Sequence, residues 1–301
     1  MGTLAKPGLA AAVANAGGLG LVSVYGVSAE TVAALLDEAT AATQGTLGAN
    51  FIRTSFAEAA ECVAIAAQRV RVVDFFYFDP EPALVDIVHQ HGALACWQVG
   101  SVEEARAAAE AGCDFIVAQG NEAGGHVRGT IGLLPLLDAV LDGVNIPVLA
   151  AGGIGSGRSM AAALAAGADG VRIGTRFVAA QEAEAHPDYV RALIAARPED
   201  TVYTEAYSTN WPDAPHRVLR SCIDAATTLE ADAVIGEFDW YGQPTPVRRF
   251  DCLAIDKTTM GTIAAMPHWA GESVGDVTRI QPAAAIVEEL VEVAEQQLAR
   301  W

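Results

Sequence analysis

Positive charge is scarce in this chain. Its 18 lysines and arginines face 37 aspartates and glutamates over 301 residues, a formal net charge of −19. Nucleic acid and anionic membrane both demand a basic surface, so neither is expected as a partner. An anionic ligand would have to be held by local dipoles and a few placed cations, against the global field. Cysteine is scarce too. The five thiols (Cys62, Cys96, Cys113, Cys222, Cys252) are odd in number and never in CxxC register, which argues against a disulfide framework and a zinc site. No metal is expected, and a reducing cytoplasm fits. Cys96 and Cys113 lie within or beside apolar runs and read as buried thiols. Residues 7–29 carry no charge and loosely mimic a signal peptide or a membrane span. Asn15, Ser23 and Tyr25 interrupt that stretch, and Gly17-Gly18 divide it into a helix-length and a strand-length piece, so a soluble chain is expected.

What the chain does have is apolar content. Hydrophobic residues make up 52% of it, enough to bury the core of one large domain or of a barrel with a smaller lobe. Seven short runs stand out: Leu19–Tyr25, Thr46–Ile52, Val72–Phe78, Leu94–Val99, Asp114–Ala118, Pro147–Ala151 and Gly170–Phe177. They are continuous rather than alternating, as parallel strands covered on both faces should be. Between them lie Ala-rich stretches with helical spacing, such as Val102–Ala111 and Ser159–Ala166. This alternation fits an open doubly wound sheet or a closed barrel. The unusual residues sit at strand ends (Asn50, Gln98, Gly124-Gly125-His126, Gly152-Gly153, Gly174-Thr175), which favours an α/β fold of the TIM-type (β/α)8 barrel kind.

Three segments are expected: a barrel over 1–180, a lid or second lobe over 181–280 where Pro, Trp, Tyr and Arg become frequent, and a C-terminal helix over 281–301 returning to the barrel. Within the last, Pro282 suits a first turn and Val287, Leu290, Val291, Ala294 and Leu298 form one apolar stripe. A closed barrel wants eight strands and only seven are visible, the first being absent before the helix-like Pro7–Ala16. A lost strand leaves two unpaired edges. Four or five exposed core side chains at about 1.5–3 kcal/mol each would approach the net stability of a domain. An unusual arrangement at the N-terminus is therefore expected.

The strongest chemical signal is Pro147-Val-Leu-Ala-Ala-Gly-Gly-Ile-Gly-Ser-Gly-Arg158, followed after a helix by Gly167-Ala-Asp-Gly-Val-Arg-Ile-Gly-Thr175. Glycines let adjacent N–H groups approach an anion, and with a helix N-terminus they form a phosphate site, common after the last two strands of a barrel. The plain alternative is that they only permit tight turns. The second signal is Gly120-Asn-Glu-Ala-Gly-Gly-His126-Val-Arg-Gly129, whose histidine can act as a base or hydrogen-bond donor at a barrel mouth or be structural. Asn50 and Gln98 end two strands with amides that suit the edge of a flavin ring, or equally cap the next helix. Glu122 can orient His126 or face water.

These residues resemble the nitronate monooxygenase family. The likeness rests on Ala11-Ala-Val-Ala-Asn-Ala-Gly-Gly-Leu-Gly20, Gly48-Ala-Asn-Phe51, Gln98-Val-Gly-Ser101, Glu122-Ala-Gly-Gly-His126, Ala150-Ala-Gly-Gly-Ile154 and Gly174-Thr-Arg-Phe177, joined later by His216-Arg-Val-Leu-Arg220 and Trp269-Ala-Gly-Glu-Ser273. The resemblance implies a TIM-type barrel with non-covalent FMN, and O2-dependent oxidation of alkyl nitronates to a carbonyl compound and nitrite. It implies His126 as active-site base or anion partner. Gly152, Gly153, Gly174 and Thr175 would hold the phosphate, with Gly125 and Ala151 beside them, and Asn50 and Gln98 would touch the ring. A homodimer is the assembly considered. Two departures stand out: the family's opening strand with its Ala-Pro-Met segment is absent, and Trp269 stands where Tyr is usual.

Rival readings are an NADH-dependent enoyl reductase or a quinone reductase of the same superfamily, and a non-catalytic barrel. An enzyme like IMP dehydrogenase would need a cysteine between Thr175 and Arg220, where there is none.

Overall fold

The computed structural model describes residues 1–52 and 56–300, the side chains of 56 and 58 excepted. The chain opens with α1 (Pro7–Asn15). Strands β1 (Gly20–Ser23), β2 (Leu47–Ile52), β3 (Val72–Phe76), β4 (Leu94–Val99) and β5 (Phe115–Gln119) then alternate with α2 (Ala29–Ala42), α3 (Phe56–Ala67), α4 (Pro82–Gln90) and α5 (Val102–Glu110). A two-residue strand β6 (Gly125–His126) and α6 (Leu133–Gly143) precede β7 (Val148–Ala151), α7 (Gly157–Ala165) and β8 (Gly170–Arg172). Seven of these strands pair in parallel in the order β1-β2-β3-β4-β5-β7-β8, a curled barrel-like sheet.

Alternation along the strands divides the interior in two. Outward residues such as Val73, Phe75, Trp97, Ile116, Val148 and Ala150 pack under the helices as the main core. Inward residues such as Val72, Leu94, Cys96, Phe115, Val117 and Leu149 fill the bore. Both faces are apolar over most of each strand, which explains the unbroken runs in the sequence. The last run is shorter than expected: after Arg172 the chain turns into the single-turn helix α8 (Thr175–Val178).

β1 and β8 are the two edges of the sheet, and the gap between them is covered by helices and the first residues. The C-terminal helix α11 (Ala283–Leu298) packs on α7 and α1, and Leu9, Phe177, Ile286 and Leu290 form a buried cluster at this seam. Arg176 anchors the seam by an ion pair to Glu289 at 3.0 Å and a bond to the Asp276 carbonyl. At the mouth, the Ser23 N–H donates to the Ala5 carbonyl at 3.0 Å. Trp301, expected to end the last helix, lies outside the described residues.

Between the barrel and α11 lie α9 (Pro187–Ala195), β9 (Thr201–Thr204), β10 (His216–Leu219), α10 (Arg220–Thr227), the hairpin β11 (Val234–Trp240) and β12 (Gln243–Arg248), and β13 (Met260–Gly261). Tyr189, Leu193, Leu219, Ile255 and Met266 centre a separate buried cluster there. Strand β10 pairs antiparallel with both β9 and β6. This second lobe is thus stitched directly to the histidine loop. No helix among the described residues is long and apolar enough to cross a membrane.

Candidate active site

At the C-terminal ends of the strands the bore turns polar. Asp74 on β3, 1% exposed, receives two hydrogen bonds from Arg172 on β8, at 2.9 and 2.7 Å, and one from the Asn50 amide at 2.5 Å. Burial alone would lower the Arg172 pKa, but the Asp74 carboxylate outweighs it and the net shift is upward. Burial, reinforced by Asp74, pushes the nearby Cys96 thiol well above its usual range. Asn50 is thus tied on one side by a buried carboxylate. Gln98 is buried at the end of β4, and no described residue hydrogen-bonds its amide. Gln119 donates to the His126 carbonyl at 3.1 Å while its own Oε1 is buried without a partner.

The glycine turns follow neighbouring strands, since Ala151 pairs with Arg172. Gly152 and Gly153 hold φ of 103° and 66°, a left-handed backbone that side chains disfavour. A Cβ on Gly152 would also lie 2.9 Å from the Gly120 carbonyl oxygen. Among the described residues, none accepts a hydrogen bond from the amides of Gly152, Gly153, Gly174 or Thr175. The start of α7 differs from expectation. Ser156 and Ser159 form a capping box that occupies the Gly155, Ser156 and Ser159 amides. The open donors belong to the turns before the helix, not to its first turn.

The three loops meet. The Thr175 hydroxyl accepts from the Gly271 N–H at 3.1 Å, and the Glu272 N–H donates to the Glu122 carbonyl at 2.9 Å. A Cβ on Gly124 would lie 2.3 Å from the Gly271 nitrogen, so the histidine loop and the 270 loop touch backbone to backbone. The half-buried Glu122 carboxylate accepts the Leu133 N–H at the start of α6, at 2.9 and 3.0 Å. The loop is clamped from the second lobe by Arg217, which donates to the Asn121 carbonyl at 3.0 and 2.9 Å and pairs with Glu272 at 3.1 Å.

His126 is buried within a shell of rings. Trp211 stacks on it at 3.9 Å, Tyr77 meets it edge-on at 5.4 Å, and Trp269 and His216 lie at 5.4 and 5.6 Å. His216 accepts the Tyr207 N–H at Nε2, so its proton sits on Nδ1 and points to the Ala214 carbonyl. Burial lowers its pKa, the Ala214 bond opposing. Tyr77 adopts φ of 68°, a strained state for a bulky residue and one that clusters at functional sites. Burial, with Tyr203 adding, pushes its hydroxyl up to about 12. Arg128 lies 5.7 Å over the Tyr77 ring but is already paired with Glu104 and Asp79.

Of the residues expected at the site, Gly125 and His126 lie on β6, Ala151 ends β7 below the first turn, and Gly152, Gly153, Gly174 and Thr175 form the two turns. Asn50 and Gln98 lie in the C-terminal halves of β2 and β4 on the bore side. Sequence reading missed Asp74, Arg172, Gln119, Tyr77 and Trp211. A charge inside an apolar run was a visible sign for Asp74 and Arg172; nothing local marked Trp211, which approaches only through the tertiary fold.

A parallel α/β sheet with turn amides open at its C-terminal edge and an enclosed imidazole beside them defines an enzyme of the barrel class. The particular family follows from comparison with known proteins: the nitronate monooxygenase family model matches residues 1–293, and the chain belongs to that family. A nitronate monooxygenase of Paraburkholderia phytofirmans is 29% identical, with 99% of this chain and 91% of that protein covered. A (3aS,4S,5R,7aS)-5-hydroxy-7a-methyl-1-oxo-octahydro-1H-indene-4-carboxyl-CoA dehydrogenase of Mycobacterium tuberculosis is 36% identical over 73% of this chain. The chain spans 61% of that relative's length and 63% of its Rhodococcus jostii counterpart. Among solved structures, FabK from Thermotoga maritima superposes with a TM-score of 0.81 at 28% identity, covering 100% of this chain and 92% of that one. Nitroalkane oxidase from Streptomyces ansochromogenes gives 0.79 at 27% identity, with coverages of 99% and 94%.

Proposed function

We propose that this chain binds FMN across the mouth of the curled sheet and uses O2 to oxidise alkyl nitronates, such as propionate 3-nitronate, to a carbonyl compound and nitrite. One observation carries the reading: two neighbouring glycine turns with open amides meet the loop that bears His126. In this reading the amides of Gly152, Gly153, Gly174 and Thr175 hold the phosphate, with Gly125 and Ala151 lining the approach. Arg172 is consumed by Asp74, so fixed backbone dipoles hold the anion against the acidic background. Gln98, with an amide no described residue satisfies, and Asn50, steadied by Asp74, would face the ring system; Gln119 Oε1 supplies a further acceptor. These donors and acceptors fit a flavin nucleotide, which when bound supplies the electron transfer. His126 serves the substrate as proton acceptor or anion partner. The ring shell around it excludes water, which strengthens any charge interaction made there.

A second reading, an enoyl or acyl-thioester oxidoreductase using NADH, is favoured by the likeness to FabK and to the CoA-ester dehydrogenases. One experiment separates the two. The absorption spectrum of the purified protein is recorded, followed by O2 uptake with propionate 3-nitronate and by anaerobic mixing with NADH. Nitronate-dependent O2 uptake without NADH supports the proposal. Bleaching by NADH with no response to nitronate supports the second reading, and a protein that stays colourless after FMN is added refutes both.

A further inference from the structure

Beyond its ring shell, His126 has a neighbour that the proposed oxidation does not use. The Cys252 sulfur lies 3.7 Å from His126 Nε2. The Cys252 main chain is clamped at both ends by one side chain: its N–H donates to Asn210 Oδ1 at 2.7 Å, and Asn210 Nδ2 donates to its carbonyl at 3.1 Å. The next residue, Trp211, is the ring stacked on His126. A single dipeptide therefore sets the positions of both the thiol and the imidazole. Two residues before Cys252, Phe250 holds φ of 64° with the Arg249 guanidinium 5.0 Å over its ring. A bulky side chain keeps such a backbone only where its surroundings impose it, so the approach to Cys252 is built.

Cys252 also lines a cleft of about 210 Å³ in the second lobe, walled by Phe238, Pro246, Val247 and Leu253 with Thr245 among the lining residues. The lining mixes these apolar side chains with polar ones, and its Asp251 carboxylate together with a net charge of −19 selects a neutral organic molecule over an anion. The remaining thiols are placed differently. Cys96, Cys113 and Cys222 are buried, and the half-buried Cys62 stands beside Glu61, where burial and that carboxylate push its thiol up.

We infer that Cys252 is a nucleophilic thiol that adds to neutral α,β-unsaturated carbonyl compounds entering this cleft, with His126 as its proton acceptor. The sulfur forms a bond to the β-carbon as the C=C π pair moves to the α-carbon. The thiol proton passes to His126 Nε2 and then to the α-carbon. S–H is thereby added across the double bond, with no net oxidation and no leaving group. The adduct seats an organic group against the His126 ring and silences it. The addition needs neither flavin turnover nor nitronate, so its outcome is read separately from that of the proposed oxidation.

The test is timed peptide mass mapping of the flavin-loaded protein treated with N-ethylmaleimide or 2-cyclohexenone, with Cys62 as internal reference. Cys252 is expected to be alkylated roughly tenfold faster than Cys62 or more, and anionic iodoacetate to lose that preference. His126→Gln is expected to slow alkylation at Cys252 on the order of 10²-fold while leaving Cys62 unchanged. Thr245→Trp, which fills the cleft without touching the imidazole, is expected to slow Cys252 alone. Equal rates at Cys62 and Cys252 overturn the inference. So does an unchanged Cys252 rate in folded His126→Gln. If that variant does not fold, an unchanged rate in Thr245→Trp overturns it instead.

Discussion

Lowering the pH from 7 to 5 is expected to remove about 2 kcal/mol of stability through one ring, that of His268. This residue is 4% exposed, stacks on Tyr189 at 5.2 Å, and has neither ring nitrogen hydrogen-bonded. Burial lowers its pKa from 6.5 to about 4, against smaller upward pulls from the Ile263 main chain and Asp188, with His186 pulling down. Because the folded pKa is the lower one, the unfolded chain takes up the proton first as pH falls. The stabilising contribution is present above pH 6.5 and drains away as pH falls toward 4. At full titration the gap is worth about 3 kcal/mol, at about 1.4 kcal/mol per pKa unit. His268→Phe keeps a ring against Tyr189 and removes the titration, and it also removes two unsatisfied polar atoms, so it is expected to be neutral or mildly stabilising at pH 7. The assay is urea unfolding of both proteins at pH 7 and pH 5, the difference between the two losses being the quantity of interest. His216, also depressed by burial, titrates in both proteins and cancels. If wild type and His268→Phe lose the same stability over that interval, the buried-neutral-histidine account is wrong.

His126→Ala is expected to retain flavin and lose at least ~10²-fold in nitronate turnover, measured by O2 uptake, the usual reach of one acid–base group. Gly153→Val places a β-branched side chain on a left-handed backbone 3.3 Å from the Glu122 side chain, and is expected to give colourless protein; full yellow colour at normal affinity would move the phosphate elsewhere. Arg172→Met leaves the Asp74 carboxylate buried without its bidentate partner and is expected to cost about 3–5 kcal/mol in urea unfolding. Loss of less than 1 kcal/mol, about what exposed pairs contribute, would mean that the pair is solvated.

The strand positions were legible because parallel strands buried on both faces must be apolar throughout, and the six earlier runs became strands with ends shifted by a residue or two. The seventh, Gly170–Phe177, mixed a strand with a helical turn because apolar content does not distinguish the two over eight residues. The glycine turns and His126 were legible because Gly-Gly at a strand end carries a conformational meaning. Glu122 was not. Its role as acceptor for the Leu133 amide depends on the loop folding back on itself over eleven residues.

By itself the sequence determined the chain's class, its acidic surface, its parallel strands and the residue types at their ends, since each of these follows from local composition and spacing. Tertiary structure alone decided which side chains meet. It drew Arg172 to Asp74 across the bore, sealed the β1–β8 gap with α1 and α11, and brought Trp211 and Cys252 from the second lobe onto His126. Contacts between residues a hundred positions apart are set by how layers pack, and packing leaves no period in the sequence to read.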